Sequence, residues 1–272
     1  MNFAGLLGII SGLCVVTFVI AGSSKSAAVF IDPHAIVIVI GGTLTVALLC
    51  FPFSRLYGAL IIVVNKMLGK TVNDYNGMID VVVNTSQVYR SNPKGSLDQI
   101  PKDAHPFFSE GMRMLVEYGF DADDLDNILQ NSIDGKKKRD GDDAKVWHTI
   151  SRLPPAIGLL GATVGMIELL KTLGEPGAQD RVGPAMATAL VATFYGLVFA
   201  NLVFIPISEK LHEVAAEDIV MRNLIKEGIL LIQEKRHPLV ISEYLRSFLE
   251  AKHRKGSVSD DTPQEGSRKK AA

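Results

Sequence analysis

Apolar residues gather into four long stretches, and the chain between them is polar or amphipathic. The stretches cover residues 3–22, 35–53, 151–174 and 182–207. Each is long enough to cross a bilayer as a helix, which takes about 20 apolar residues. The segment between the second and third holds about a hundred residues and is not a linker, because its apolar positions recur at helical spacing. Residues 57–70 continue the second stretch as an amphipathic helix, and Met78, Ile79, Val82 and Val83 mark the inner stripe of another. Residues 105–133 read as two helices broken at Gly119, with Asp121 as N-cap of the second. Beyond the fourth stretch, one long helix runs to near Pro238 and a shorter one to about Lys252, before a tail of disordered composition. The pattern predicts an all-α fold: a polytopic membrane protein with four transmembrane helices and a cytoplasmic helical bundle. The expected parts are helices 1 and 2 in residues 1–53, a cytoplasmic loop domain in 54–152 and helices 3 and 4 in 153–207. C-terminal cytoplasmic helices in 208–255 and a disordered tail in 256–272 complete the chain.

Charge then sets the orientation. Of Lys and Arg, the connection between the first two stretches holds only Lys25, and that between the last two only Arg181. Arg55, Lys66, Lys145, Arg152 and Lys210 lie near the opposite ends, so the positive-inside rule places both termini and the middle segment in the cytoplasm. The lead before the first stretch lacks Lys and Arg, which argues against a cleaved signal peptide. Mean hydropathy is +0.23, charged residues make up 21%, and the net charge of −1 offers nucleic acid no field to follow. The six histidines show no metal-ligand spacing, and no phosphate loop, dinucleotide fingerprint or nucleophile elbow is present. No enzyme, metal or cofactor is indicated. Cys14 and Cys50 lie inside apolar stretches, where a small buried hydrophobe is expected before a disulfide.

The third and fourth stretches have unusual contents. Pro155, Gly158, Ala162 and Gly165 fall on one helical stripe, and Ala185, Ala189, Thr193, Gly196 and Ala200 on another. Gly5, Gly8 and Gly12 do the same in the first. Small stripes let helix backbones approach closely, since lipid removes the hydrophobic drive between them. Two readings stand: the stripes pack helices of one chain, or residues such as Gly158, Gly165, Ala189 and Gly196 receive a partner's helix. An ion-driven machine needs an ionisable group near the bilayer middle. The first, second and fourth stretches have none, and Glu168 in the third sits toward one end with Lys171 a turn beyond, as an interfacial pair would. If an ion pathway exists, its carboxylate is expected from a partner, with the Thr193 hydroxyl beside it. Thr193 bonding back to its own helix is the plain alternative. Pro155 and Pro206, at the cytoplasmic ends of the third and fourth stretches, are natural bends, static or mechanical.

The stretches "PPAIGLLGATVGMIELL" and "VGPAMATALVATFYGLVFANLVFIPISEKL", with "GLLGIISGL" and "IDPHAIVIVIGGTLTVAL" before them, resemble the MotA/PomA family of bacterial flagellar motor stator subunits, within the wider MotA/TolQ/ExbB superfamily. The likeness covers residues from about 4 to 250. It implies an inner-membrane protein forming a ring of five copies around two copies of a MotB/PomB-type partner. That partner supplies the membrane aspartate, and ion flow turns the ring against the rotor protein FliG, which residues 54–152 then face. Residue by residue, the resemblance matches Pro155 and Pro206 to the family's coupling prolines and Thr193 to the threonine near the ion route. Arg90 and Asp98 resemble the rotor-contacting arginine and acid, although the family more often has glutamate in place of Asp98 and a glycine-rich spacer where Pro93 stands. Sodium-type members often carry a threonine where this chain has Ala162, with Thr163 one residue later and rotated about 100°. The expected coupling ion, H+ or Na+, is therefore the proton. An ExbB/TolQ-type energiser of outer-membrane processes and a non-conducting membrane scaffold are the alternatives.

Overall fold

The computed structural model describes residues 3–23, 30–68, 74–174 and 176–249. The expected disordered tail at 256–272, Lys25 and residues 250–252 lie outside them. Every regular element among the described residues is helical. Helix α1 (Phe3–Ser23) is mostly apolar and carries no charged residue. Helices α2 (Pro33–Ile36) and α3 (Gly42–Cys50) are joined by a π turn (Val37–Gly41) into one rod. It starts where Asp32 accepts the backbone N–H of His34 at 2.8 Å and of Ala35 at 3.3 Å, with Pro33 preset for the first turn.

That rod stops earlier than the expected 53 and does not run straight on into an amphipathic helix. Phe51 adopts φ −136° and ψ 141°, the extended backbone favoured before proline, and helix α4 (Phe53–Leu68) restarts after Pro52. Helices α7 (Ala122–Ser151) and α8 (Leu153–Thr172) meet at Arg152, whose φ −85° and ψ −15° stay near helical. Pro154 and Pro155 fall in the opening turn of α8, where missing N–H groups would have no helical partner anyway. Helix α9 (Ala178–Phe199) passes through a π turn (Ala200–Phe204) into α10 (Ile205–Gln233), which ends before Pro238 as expected.

Three helical runs are long and apolar enough to span a membrane: Pro33–Cys50, Ala122–Lys171 and Val182–Gln233. Only 22% of each apolar window is buried, so these runs turn most of their hydrocarbon outward, which suits lipid and penalises water. Cys14 and Cys50 are free thiols on such exposed faces rather than buried ones, because the surrounding apolar solvent removes the need to hide them.

Two compact units divide the chain, and the division follows packing rather than the change from apolar to polar sequence. One comprises Met1–Val72 and Gly135–Glu217. In it, Trp147 of α7 donates its indole N–H to the Ala59 carbonyl at 3.2 Å and stacks on Phe204, pinning α4 to α7. Charge ties the same two helices: Arg55 pairs with Asp142 at 3.4 Å, and Asp140 with Lys66 at 3.4 Å and Lys136 at 2.6 Å. Asp140 is only 6% exposed, so breaking its pairs would strand a buried charge.

The other unit comprises Asn73–Asp134 and Asp218–Ala272. Helices α5 (Tyr75–Ser91), α6 (Pro106–Arg113), α11 (Pro238–Ser247) and the parts of α7 and α10 in this unit enclose a core that includes Phe108, Leu129 and Ile229. The inner stripe Met78, Ile79, Val82 expected of α5 is buried there, with Val83 partly buried. Gly119 (φ 66°) takes the left-handed turn that ends α6's π extension, and Asp121 accepts the Asp124 N–H at 2.8 Å as the cap of α7. Arg222 covers the Phe107 ring at 5.0 Å while pairing with Asp218.

Burial, and then the Asp140 carboxylate, push the Asp143 carboxyl above the usual range, against the pull of Lys66, Arg55 and Lys136. A raised folded-state pKa means stability that is complete below the unfolded value of about 3.9 and is lost as pH climbs through the raised one. Asp143→Asn should therefore raise the melting temperature at pH 7 and leave it unchanged near pH 3.5. Melting curves of both proteins in one detergent across that window check this.

Candidate functional site

The α8–α9 crossing brings together most of the residues singled out from sequence. Along α8, Gly158, Gly161 and Gly165 recur at three- and four-residue spacing, and on α9 Ala185, Ala189, Ala192 and Gly196 do likewise. The two rows meet with almost no gap. A Cβ built on Gly196 would lie 2.4 Å from the Pro154 carbonyl oxygen and 3.1 Å from Pro155 Cα. One on Gly158 would lie 2.7 Å from the Ala192 carbonyl oxygen and 3.1 Å from Thr193 Cα. These are contacts with backbone, which a side chain cannot push aside. At Gly165 the neighbour is the Ala189 methyl at 3.2 Å. Gly158, Gly165, Ala189 and Gly196 thus pack helices of this one chain, the first of the two readings open from sequence.

Thr193 sits at the centre of this crossing, half-buried. Its hydroxyl faces the Gly158 carbonyl across the interface at 3.5 Å, a long contact, and is not committed to its own helix. Ala162 lies partly buried on the same stripe of α8 as Gly158 and Gly165. Thr163 lies on the exposed face and donates to the Leu160 carbonyl of its own helix at 2.7 Å. The structure therefore gathers Pro155, Gly158, Thr193 and Gly196, and turns Thr163 away from them. Glu168 is exposed further along α8.

Pro206 stands apart, just after the π turn. Lacking an N–H, it cannot bond the carbonyl four residues back, and its ring crowds that carbonyl. The helix widens accordingly: Ile205 N–H reaches the Ala200 carbonyl, five residues away.

Arg90 and Asp98 belong to the other unit. Arg90 is exposed in the last turn of α5 and lines a groove of about 460 Å³ with Gln87, His237, Leu239 and Ser242. Asp98 is exposed on the 3-10 turn Lys94–Gln99, and no ion pair joins it to Arg90. Groups of His, Cys, Asp or Glu able to hold a metal are absent among the described residues.

One group was passed over in sequence. Asp32 starts the α2 rod, and the Thr188 hydroxyl of α9, then the Ala35 and His34 N–H groups, hold its carboxyl below the usual range against the effect of burial. The "DPHA" cap pattern was a readable signal for the helix start, whereas Thr188 as its partner was not. Nearby, Tyr195 donates its hydroxyl to the Phe30 carbonyl, tying α9 to the approach of α2.

Comparison with known proteins places this geometry. A family model described as the MotA/TolQ/ExbB proton channel family matches residues 99–224, which include every residue of the crossing but neither Arg90 nor Asp98. The chemotaxis protein PomA of Vibrio alginolyticus is 32% identical over 254 residues, 92% of this chain and 96% of that one. Motility protein A of Borreliella burgdorferi is 29% identical over 263 residues, 93% and 96% of the two chains. The fold is that of solved MotAB structures. The C. jejuni MotAB structure aligns with TM-score 0.81 at 20% identity, over 92% of this chain and 97% of that one. The flagellar MotAB stator complex of Bacillus subtilis aligns with TM-score 0.80 at 24% identity, over 91% and 96%.

Two substitutions separate the packing from general helix tolerance. Gly196→Val puts methyls onto the Pro154 carbonyl and should destabilise by about 1–3 kcal/mol or prevent folding. Gly183→Ala, with no atom within 4 Å of the added carbon, should be neutral or slightly stabilising. Thermal melts in detergent read both.

Proposed function

Because the chain belongs to the MotA/PomA family of bacterial flagellar motor stator subunits, within the MotA/TolQ/ExbB proton channel family, we propose that it forms the ion-path wall of a proton-driven stator and delivers torque to the rotor. In this reading five copies surround two copies of a MotB/PomB-type partner in the inner membrane, and ion flow turns them against FliG. Helix α1, a 21-residue apolar helix, is the fourth span beside the three long runs. The distribution of Lys and Arg supports cytoplasmic termini. The motility proteins that match nearly the whole chain displace the ExbB/TolQ-type and scaffold alternatives.

The observation that carries the proposal is the α8–α9 crossing. Its backbones are too close to admit a side chain at Gly158 or Gly196, yet it holds one hydroxyl, Thr193, whose partner across the interface is distant. Residues 153–167 and 182–208 contain no Asp, Glu, Lys or Arg, so the crossing has no carboxylate or cation of its own. A carboxylate from a partner helix can take up and release a proton beside Thr193 without a competing charge. Choice of the proton is supported by Ala162, which adds no oxygen to the stripe, and by Thr163, whose hydroxyl lies on the other face and is used by its own helix. Sodium requires several oxygen ligands, whereas a proton needs one acceptor at a time.

Force transfer has two supports in the chain. Pro155 stacks on Gly196 at the junction of α7 and α8, and Pro206 widens the helix that leaves α9. Pro206 places a weak point in a helix that continues from an apolar into a polar segment, and Pro155 marks the joint where α7 gives way to α8. Arg90 and Asp98 are exposed charges on the unit formed by α5 and α11, available to a charged rotor surface.

Thr193→Val should cut stator torque roughly tenfold, about 1.4 kcal/mol on the ion-transfer barrier, in cells that make normal amounts of assembled complex. Torque of tethered cells, set against membrane content of the protein, is the measurement, and unchanged torque would remove Thr193 from the path. Swimming speed should follow a protonophore and ignore external sodium. The rotor contact is tested separately: Arg90→Glu should weaken swimming and be partly restored by an opposite charge change on FliG.

A further inference from the structure

Within the unit that holds the crossing lies a cavity of about 460 Å³ that no part of the ion path uses. It sits between the α2–α3 rod, α4, the end of α7 and the start of α8, with Phe199 and Phe204 also lining it. Its back wall is fully buried: Val39, Ala47, Ala59 and Trp147. Its mouth is rimmed by side chains that are exposed and apolar. Leu44 (56%), Leu48 (45%), Phe53 (73%), Tyr57 (59%) and Leu60 (50%) are the main ones. A mouth of this kind suits an apolar surrounding and not water.

One wall residue is polar. Thr43, 6% exposed, has a hydroxyl without any hydrogen-bond partner among the described residues, whereas Thr45, two residues on, bonds the Gly41 carbonyl at 2.8 Å. A buried hydroxyl left unpaired is rare and costly. Water would satisfy it poorly in a space whose other walls are apolar, since an ordered water needs two to four polar partners.

We propose that this cavity seats one acyl chain of a membrane phospholipid, with an ester oxygen of that lipid accepting the Thr43 hydroxyl. The volume fits the class. At roughly 30 Å³ for a water-sized group, and a methylene is of similar size, the space takes about fifteen methylenes, the length of one membrane acyl chain. The rim fits it too: Phe53 and Tyr57 are the aromatic residues expected at the level of the lipid headgroups, where the exposed Arg152, between the lining residues Ile150 and Pro154, can meet a phosphate. A seated chain fills the void between α4 and the α7–α8 junction, so the lipid acts as a structural part of that junction. The inference goes beyond the stator reading and does not depend on the coupling ion.

The chain carries its own reporter, because Trp147 is its one tryptophan and lines the cavity. The full chain is placed in nanodiscs of phosphatidylethanolamine and phosphatidylglycerol, either plain or brominated along the acyl chains. Bromine beside the indole should quench its emission by more than half. Ala47→Phe, which fills the back wall, should remove most of that quenching, and Leu44→Phe at the rim provides a second plug should the first variant not fold. Equal emission in plain and brominated discs would overturn the proposal. So would quenching that both plugged variants retain, which would mark ordinary boundary lipid. Quenching by added brominated fatty acid but not by brominated phospholipid would replace the proposed ligand with a free acid. An unquenched Trp147 together with photo-cross-linking from position 44 to a second copy would assign the cavity to a neighbouring subunit.

Discussion

Everything about this stator subunit's membrane portion depends on how close α8 and α9 come. Two membrane helices gain little from hydrophobicity, because lipid is as apolar as leucine, so attraction must come from dispersion and from polar contacts at short range. Gly196 against the Pro154 carbonyl and Gly158 against the Ala192 carbonyl bring backbone to backbone. Larger residues would have given each helix more contact with lipid and less with its neighbour. Glycine and alanine therefore occupy positions where leucine would be expected, and the one hydroxyl in the crossing is placed beside a carbonyl at a distance that leaves it available to another group.

From that crossing the same logic runs outward. Pro155 sits in the first turn of α8, where it removes no helical hydrogen bond, and its backbone supplies part of the surface on which Gly196 rests. Pro206 is costlier to the helix, and the π turn before it is how the chain accommodates the lost bond. Both prolines mark where apolar helices become polar ones. There the stabilising interactions change kind: ion pairs and a tryptophan hydrogen bond hold α4 to α7, with Asp140 buried between two lysines. Exposed ion pairs contribute little, and this one differs because the carboxylate is nearly inaccessible.

Much of this was legible beforehand. The apolar stretches, the helical stripe of α5, the Asp121 cap and the end before Pro238 follow from local rules that need no tertiary information: residue length against bilayer thickness, a period of 3.6, and a side-chain oxygen over free N–H groups. The break at Phe51–Pro52 was also within reach, since a residue before proline disfavours helix, but the apolar run to Phe53 concealed it. Other features were out of reach. Thr188 as donor to Asp32 joins residues far apart in sequence, and the cavity beside Trp147 is made of segments from four places along the chain.

The sequence by itself determined which segments are helices, which of them suit lipid and where small residues form stripes, because those properties are set by each residue's own chemistry and by spacing along one helix. Only the tertiary structure decided which stripe faces which. The rows on α8 and α9 meet each other, Thr193 turns toward Gly158, and Thr163, one residue from Ala162, points away. Spacing along a helix fixes the angle between two side chains but not the direction in which the helix as a whole is rotated. That rotation is settled by the closest approach its neighbour allows.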